Sequence, residues 1–283
     1  MALFPIIWIV GLVGNGIVIW FLSFVIRRNP ITTYVLNLAV ADFGVLACCI
    51  FLISFSLLEE ETDLPSQSYV VFFLLFLFTH ATSLHLLTAI SAERCISMLF
   101  PIWYRCRRPK HQSATVCALI WATYLLLNAI NIFVWTDGSM DEGRVHEVLL
   151  TTVFTINFFF CTPLMVLSSV TLFIRVCCGL HRRQHRTLSV ALLLAIFFFI
   201  MFGVPFSALV TISRFYMKDP TRLFLLGLAF ITINSSINPL IYFVVGRKNR
   251  CKCRENFTAA LQTVFSDKAD GKEDGNRLDF QMQ

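Results

Sequence analysis

The residues with chemistry to do in this chain are polar groups set deep in apolar sequence. Asn15, Asn37, Asp42, Ser83, Asn234, Ser235 and Asn238 each interrupt a run of aliphatic and aromatic residues. Asp42 is the sharpest case: it stands in Leu38-Ala39-Val40-Ala41-Asp42-Phe43, with no Lys or Arg at similar depth in any apolar run. A lone carboxylate in a low-dielectric interior is protonated, solvated or bound to a cation, because uncompensated charge there is costly. Hydroxyl and amide oxygens are the ligand type for a small hard cation. The same groups equally suit a hydrogen-bonded helix contact around a neutral Asp, and residue chemistry leaves both readings open. A second place is Glu93-Arg94-Cys95, an ion-pair candidate that closes an apolar run starting near Tyr69, with Pro101 opening the exit loop. Ionisable residues in membrane helices mark function by default. No metal-ligand cluster, phosphate loop or nucleophile motif accompanies them, and the six His are scattered. The pattern is not that of an enzyme.

The elements that must position these residues are membrane helices. The 283 residues are 57% hydrophobic and 14% charged, against roughly 45–50% and about 25% in soluble domains; mean hydropathy is +0.73. A spanning helix needs about 20 apolar residues. Seven stretches qualify, over residues 3–26, 31–58, 69–100, 113–135, 147–178, 187–214 and 223–245. None shows the alternation of a membrane β-barrel, so the expected fold is an all-α, seven-transmembrane helix bundle. The first stretch lacks a basic n-region and a cleavage site, and reads as a retained helix. It leaves no extracellular tail, which is unusual and points to an incomplete gene model.

Loop charge orients the bundle. Arg27 and Arg28, then Arg105, Arg107, Arg108 and Lys110, then Arg175, Arg182, Arg183 and Arg186, and finally Arg247, Lys248, Arg250, Lys252 and Arg254 follow spans one, three, five and seven. The alternate loops are acidic or mixed, with Glu59, Glu60, Glu61 and Asp63 in the first and Asp137, Asp141 and Glu142 in the second. The positive-inside rule then places the N-terminus outside and the C-terminus in the cytoplasm of a multi-pass plasma-membrane protein. Basic residues confined to such short loops exclude a nucleic-acid partner. Residues 247–265 keep a helical period through Phe257, Ala260, Leu261, Val264 and Phe265, as in an amphipathic helix on the inner leaflet. Cys251 and Cys253 sit where palmitoyl chains attach, although plain free thiols fit as well. Residues 266–283 are polar and charged, a disordered tail behind a single domain over 1–265. Pro163, Pro205 and Pro239 interrupt spans five, six and seven. Each kinks or loosens its helix, and three in consecutive spans favour motion over static kinks.

The ordered set of landmarks resembles the rhodopsin-like G-protein-coupled receptors: Gly14-Asn15, Leu38-Ala39-Val40-Ala41-Asp42, Glu93-Arg94-Cys95, Trp121, Pro163, Pro205 and Asn238-Pro239-Leu240-Ile241-Tyr242. Longer runs are similar to the Mas-related receptors within them, among them Leu86-Leu87-Thr88-Ala89-Ile90-Ser91-Ala92-Glu93-Arg94-Cys95 and the Pro-Ile-Trp-Tyr-Arg-Cys run from Pro101. Gly203, where most relatives carry Trp, and Cys95, where most carry Tyr, point the same way. The top of span three has no Cys and neither does the second outer loop, so the usual bridge between them is absent.

The resemblance implies an agonist-driven outward swing of span six that opens a cleft for a heterotrimeric G protein. It implies that Arg94 pairs with Glu93 at rest and reaches the G protein when active, with Asn238, Pro239 and Tyr242 in the same machinery. His185 stands where many relatives have an acid that locks the Arg. Pro163, Leu84 and Phe199, beside Gly203 and Pro205, match the packing relay from ligand to inner face. Asp42, Ser83, Asn234, Ser235 and Asn238 match the positions that hold an allosteric sodium ion; no other cofactor is implied. Phe76, Asn131 and Thr151 occupy ligand-mouth positions, with Asp137, Asp141 and Glu142 steering cationic ligands weakly. Phe76, where amine receptors have Asp, argues against a monoamine, and Asn131 and Thr151 replace the acids that bind cationic peptides in some Mas-related receptors. An extracellular peptide or small molecule, arrestin, receptor kinases and membrane lipids complete the expected partners. The rival readings are a secondary transporter or channel, which predicts internal repeats and paired cavity charges that the chain lacks, and a decayed, non-signalling receptor.

Overall fold

A computed structural model describes residues 3–26, 28–58, 66–137, 157–177, 183–203 and 221–248. These residues are all-helical: α1 (Leu3–Phe24), α2 (Pro30–Leu58), α3 (Ser66–Leu99), α4 (Pro101–Cys106), α5 (Gln112–Asp137), α6 (Thr162–Cys177), α7 (Arg183–Phe198) and α8 (Thr221–Lys248). Among the described residues five helices are long and apolar enough to cross a membrane, and shorter apolar stretches cover Phe159–Ile174 and Val190–Gly203. Residues 147–156 and 204–214 of the fifth and sixth expected spans, the amphipathic segment beyond Lys248 and the tail lie outside the described residues.

Local sequence explains the helix boundaries. Asn29-Pro30-Ile31-Thr32 starts α2: Asn29 Oδ1 accepts from the Ile31 and Thr32 amides at 3.0 and 2.8 Å, and the Asn29 amide donates to Thr32 Oγ1 at 2.7 Å. That reciprocal cap, with Pro at the first helical position, satisfies amides that no helix carbonyl can reach. Pro101 does not open a loop, as the sequence suggested, but takes an early position in the short helix α4; its fixed φ and missing N–H suit a first turn. Two of the prolines follow wide turns. A π-helical turn over Asn157–Cys161 precedes Pro163, and another over Phe199–Gly203 precedes Pro205, which itself lies outside the described residues. Pro lacks an N–H and its ring crowds the carbonyl four residues back, and here those carbonyls, on Phe159 and Met201, belong to the wide turns. Pro239 sits inside the continuous helix α8.

α2 packs on α3, α1 lies against α2 and α8, and α6 and α7 close the ring against α3 and α8. The interior is layered. One apolar cluster joins Leu38, Leu84, Leu87, Ile90, Met165, Ile196, Phe199 and Tyr242. A second joins Val45, Cys49, Leu52, Phe76, Leu228 and Ile231. Along α2, α3 and α8 the buried polar residues Asp42, Ser83, Asn234, Ser235 and Asn238 fall between the two. Leu119, Leu125, Leu126 and Phe133 of α5 are exposed, an apolar outer face suited to lipid.

Apolar lipid gives helices little hydrophobic reason to associate, so close packing of small residues carries much of the contact. A Cβ added at Gly14 would lie 2.9 Å from Pro239 Cβ, and one at Gly44 would lie 2.7 Å from the Thr79 methyl. The Pro239 ring cannot swing away. Gly14→Leu is therefore expected to force α1 off α8, at about 1–3 kcal/mol for overpacking. The check is the thermal midpoint of the detergent-solubilised protein together with its surface level. A midpoint and a surface level both at wild-type values would show that the α1–α8 contact does not need glycine.

Candidate functional site

Two polar sites are built on these helices. The first is the layer around Asp42, which is fully buried. Ser83 Oγ of α3 donates to Asp42 Oδ1 at 2.6 Å, and Asn238 Nδ2 of α8 donates to Oδ2 at 2.7 Å. The Ser235 hydroxyl bonds the same carboxylate. Asn15 Nδ2 of α1 donates to the Ser235 carbonyl at 3.1 Å and to the Gly11 carbonyl at 3.0 Å, which extends the layer to a fourth helix. Three of the other four residues expected around a cation thus converge on the Asp42 carboxylate. Asn234, on the same helix as Ser235, is buried too. The donor set is one carboxylate with hydroxyl and amide groups, the oxygen chemistry that a small hard cation takes. In the present arrangement neutral donors already satisfy both carboxylate oxygens.

The second site closes the C-terminal end of α3. Glu93 and Arg94 are both buried, each 6% exposed. Glu93 Oε1 accepts from Tyr104 Oη at 2.8 Å and from Arg108 Nε at 2.7 Å, and the Arg108 Nη2 contact to the same oxygen is 2.5 Å. Arg108 also donates to Ser113 Oγ, at the start of α5, and its guanidinium lies 5.1 Å from the Tyr104 ring centroid. Burial, and the hydrogen bond and charge of Glu93, push the Tyr104 phenol up to about 12, so it remains a protonated donor at physiological pH. The ion pair the structure shows at Glu93 is thus with Arg108, where the resemblance had implied Arg94.

The remaining expected residues divide. Leu84 and Phe199 share the inner apolar cluster with Met165, whereas Pro163 is exposed on the outside of α6. The residue of α6 that reaches this core is therefore Met165, two positions beyond the proline. Gly203 gives room to Phe199, whose ring would lie 2.5 Å from an added Cβ. Phe76 is fully buried in the outer apolar cluster, stacked 5.8 Å from the His80 ring, and does not line an open mouth in this conformation. Asn131 is half-buried near the end of α5. Tyr242 is buried at the inner end of α8. Asp141, Glu142, Thr151, Pro205, Cys251 and Cys253 lie outside the described residues, as do the side chains of Asp137 and His185. Sequence reasoning missed Tyr104, Arg108 and Ser113 as site residues. Loop charge had counted Arg108 only as one of several basic groups, and no local pattern distinguishes it from Arg107.

Comparison with known proteins agrees with this arrangement. The family described as "7 transmembrane receptor (rhodopsin family)" matches residues 14–242. The chain is 37% identical over 270 residues to the proto-oncogene Mas of Rattus norvegicus, covering 94% of this chain and 83% of that protein. It is 40% identical over 277 residues to the Mas-related G-protein coupled receptor member H of Rattus norvegicus, covering 96% and 85%. It is also 36% identical over 277 residues to member D of the same species, covering 93% and 85%. With its helical bundle, its buried Asp42 layer and its Glu93-Arg94 site, the chain belongs to the rhodopsin family of seven-transmembrane receptors, as a G-protein-coupled receptor of the Mas-related group.

Proposed function

We propose that Arg94 is the group through which this receptor engages its heterotrimeric G protein, from a cytoplasmic face that also carries the C-terminus. The observation that supports this is the burial of Arg94 at the end of α3, beside a clasp formed by Glu93, Tyr104 and Arg108. A buried charge held at a helix end has a latent use if a second conformation uncovers it. Leu84, Met165 and Phe199 supply the packing between the polar layer and that end, with the Phe199 ring filling the space that Gly203 leaves. An extracellular peptide or small molecule enters at the opposite face, where Asp137, Asp141 and Glu142 steer cationic ligands and affect on-rate more than affinity. Asp42, Ser83, Asn234, Ser235 and Asn238 hold a sodium ion in the closed state, which compensates the carboxylate charge. Arrestin and receptor kinases bind the same cytoplasmic face, and inner-leaflet lipid meets the segment that carries Cys251 and Cys253.

Orientation is the part of this reading that a single experiment decides. An epitope placed after Gln283 is expected to stain only in permeabilised cells, and one placed before Leu3 in intact cells. Staining of the C-terminal epitope on intact cells would put Arg94 on the outer face and end the coupling role.

A further inference from the structure

His85 of α3, Tyr124 of α5 and Cys161, at the end of the π-helical turn ahead of α6, are far apart in the chain and meet in the bundle. Tyr124 Oη lies 2.8 Å from His85 Nδ1 and 3.1 Å from Nε2, and Cys161 Sγ lies 3.3 Å from Nε2. His85 Nδ1 is also 3.0 Å from the Ala81 carbonyl. A carbonyl only accepts, which assigns the ring proton to Nδ1 and turns the Nε2 lone pair towards the thiol and the phenol. A ring proton held by a backbone carbonyl, with the other nitrogen free to ligate, is the orientation common to metal-binding histidines. Tyr124 and Cys161 are buried and His85 is half-buried. Thr88, one turn on from His85, bonds the Cys161 thiol and donates its own hydroxyl proton to the Leu84 carbonyl at 2.9 Å. One nitrogen, one sulfur and one oxygen thus converge from three helices, and a simple helix contact at Nε2 needs only one of its two neighbours.

We propose that His85 Nε2, Cys161 Sγ and Tyr124 Oη form a binding site for a borderline-soft divalent ion of the Zn²⁺ class, with the Thr88 hydroxyl beside the thiol. The donor types suit such an ion: thiolate and imidazole select zinc over the hard cations, which take oxygen alone. The spacing suits it too. With ion–sulfur near 2.3 Å and ion–nitrogen and ion–oxygen near 2.0 Å, the edges of a ligand tetrahedron are about 3.3–3.6 Å; the sulfur–nitrogen and nitrogen–oxygen separations here are 3.3 and 3.1 Å. Cys161 and Tyr124 each give up a proton on binding, so the ion and its ligands are together neutral, as apolar surroundings require. A path to the site follows α5. Asn128 and Asn131 lie four and seven residues beyond Tyr124, on the same helix face, and both are half-buried. The bound ion braces α6 against α3 and α5 at the π-helical turn, a kind of turn that recurs at functional sites.

The experiment uses the full chain in detergent, treated with a chelator, freed of it, kept reduced and titrated with Zn²⁺ alone. The readout is the thermal midpoint, which does not involve the G protein and so stands apart from the coupling role of Arg94. The wild type is expected to gain about 5 °C or more at free ion a hundredfold above Kd. Co²⁺ in place of Zn²⁺ is expected to show the visible bands of a tetrahedral ion and a thiolate-to-cobalt charge-transfer band. Cys161→Ser and His85→Gln are expected to abolish the gain. Tyr124→Phe keeps the ring and removes only the oxygen, and is expected to weaken zinc binding by at least the roughly tenfold that loss of an outer partner alone causes. A wild type whose midpoint does not respond to zinc overturns the site. A gain equally large in Cys161→Ser and His85→Gln places the ion on other residues and overturns it as well. Where those two variants are not recovered folded, Tyr124→Phe decides: wild-type affinity and an unchanged cobalt spectrum overturn the site, and weaker binding with an altered spectrum supports it.

Discussion

Arg94→Ala is expected to lower G-protein activation by about tenfold or more at unchanged surface level, within the usual range for coupling between two functional states. The expectation combines two features of the inner face. Arg94 is one of few charges buried among the described residues, and it sits near the C-terminal end of the long helix α3, the end that the proposed orientation turns to the cytoplasm. Its removal does not orphan Glu93, because Arg108 and Tyr104 already engage that carboxylate at 2.5–2.8 Å. A buried charge stripped of its partner is the usual reason such truncations unfold a protein, and Glu93 keeps its partners here. Loss of signal should therefore come without loss of receptor. The measurement is nucleotide exchange on membranes, normalised to surface receptor counted by antibody. Equal exchange rates for wild type and variant would remove Arg94 from the mechanism.

The second large effect is expected at Asp42. Replacing an impermeant organic cation by sodium at equal ionic strength is expected to lower basal nucleotide exchange of the wild type about fivefold, and to raise the thermal midpoint of the solubilised receptor. Both effects should vanish in Asp42→Asn. Asp42 reaches α3 through Ser83 and α8 through Asn238, so anything that firms this carboxylate ties three helices together. A cation that binds only the closed state stabilises it in proportion to the logarithm of concentration over Kd, and by linkage opposes opening. Asn is nearly isosteric with Asp and keeps a polar partner for Ser83 and Asn238, so the variant should fold. Ser83 and Asn238 point donors at the carboxylate, and their oxygens keep acceptor lone pairs. Equal midpoints and equal exchange in both salts for the wild type would leave Asp42 as a structural, hydrogen-bonded residue.

The Mas-related membership bears on which observations are particular to this chain. Relatives at 35–40% identity share the bundle, whereas the Glu93 clasp and the Gly203–Phe199 contact are read from this chain's own geometry. Gly203 removes bulk beside Phe199, and the ring fills the space. Beyond the π-helical turn over Asn157–Cys161, Met165 reaches the first apolar cluster while Pro163 is exposed.

How much of this was legible in the sequence follows from the range of each interaction. Membrane spans were legible because lipid obliges every backbone polar group to be satisfied within its own helix, so apolar length alone marks a span. The boundaries of α1, α2, α3, α5 and α8 agree with the expected spans to within a few residues. Asp42, Ser83, Ser235 and Asn238 were legible singly, as polar residues deep in apolar sequence, and as one set, together with Asn234, only through the family resemblance. Tertiary structure alone decided the rest. Short turns depend on local hydrogen bonding that hydropathy does not register, so α4 was read as a loop. Pairing across helices depends on rotation about each helix axis: a residue's depth follows from its sequence position, but its azimuth depends on the π-helical turns and on the close approach of α1 to α8 at Gly14. That is why Glu93 was recognised as a partner-seeking charge while its partner, Arg108, fifteen positions on in the chain and across a short helix, was found only in three dimensions.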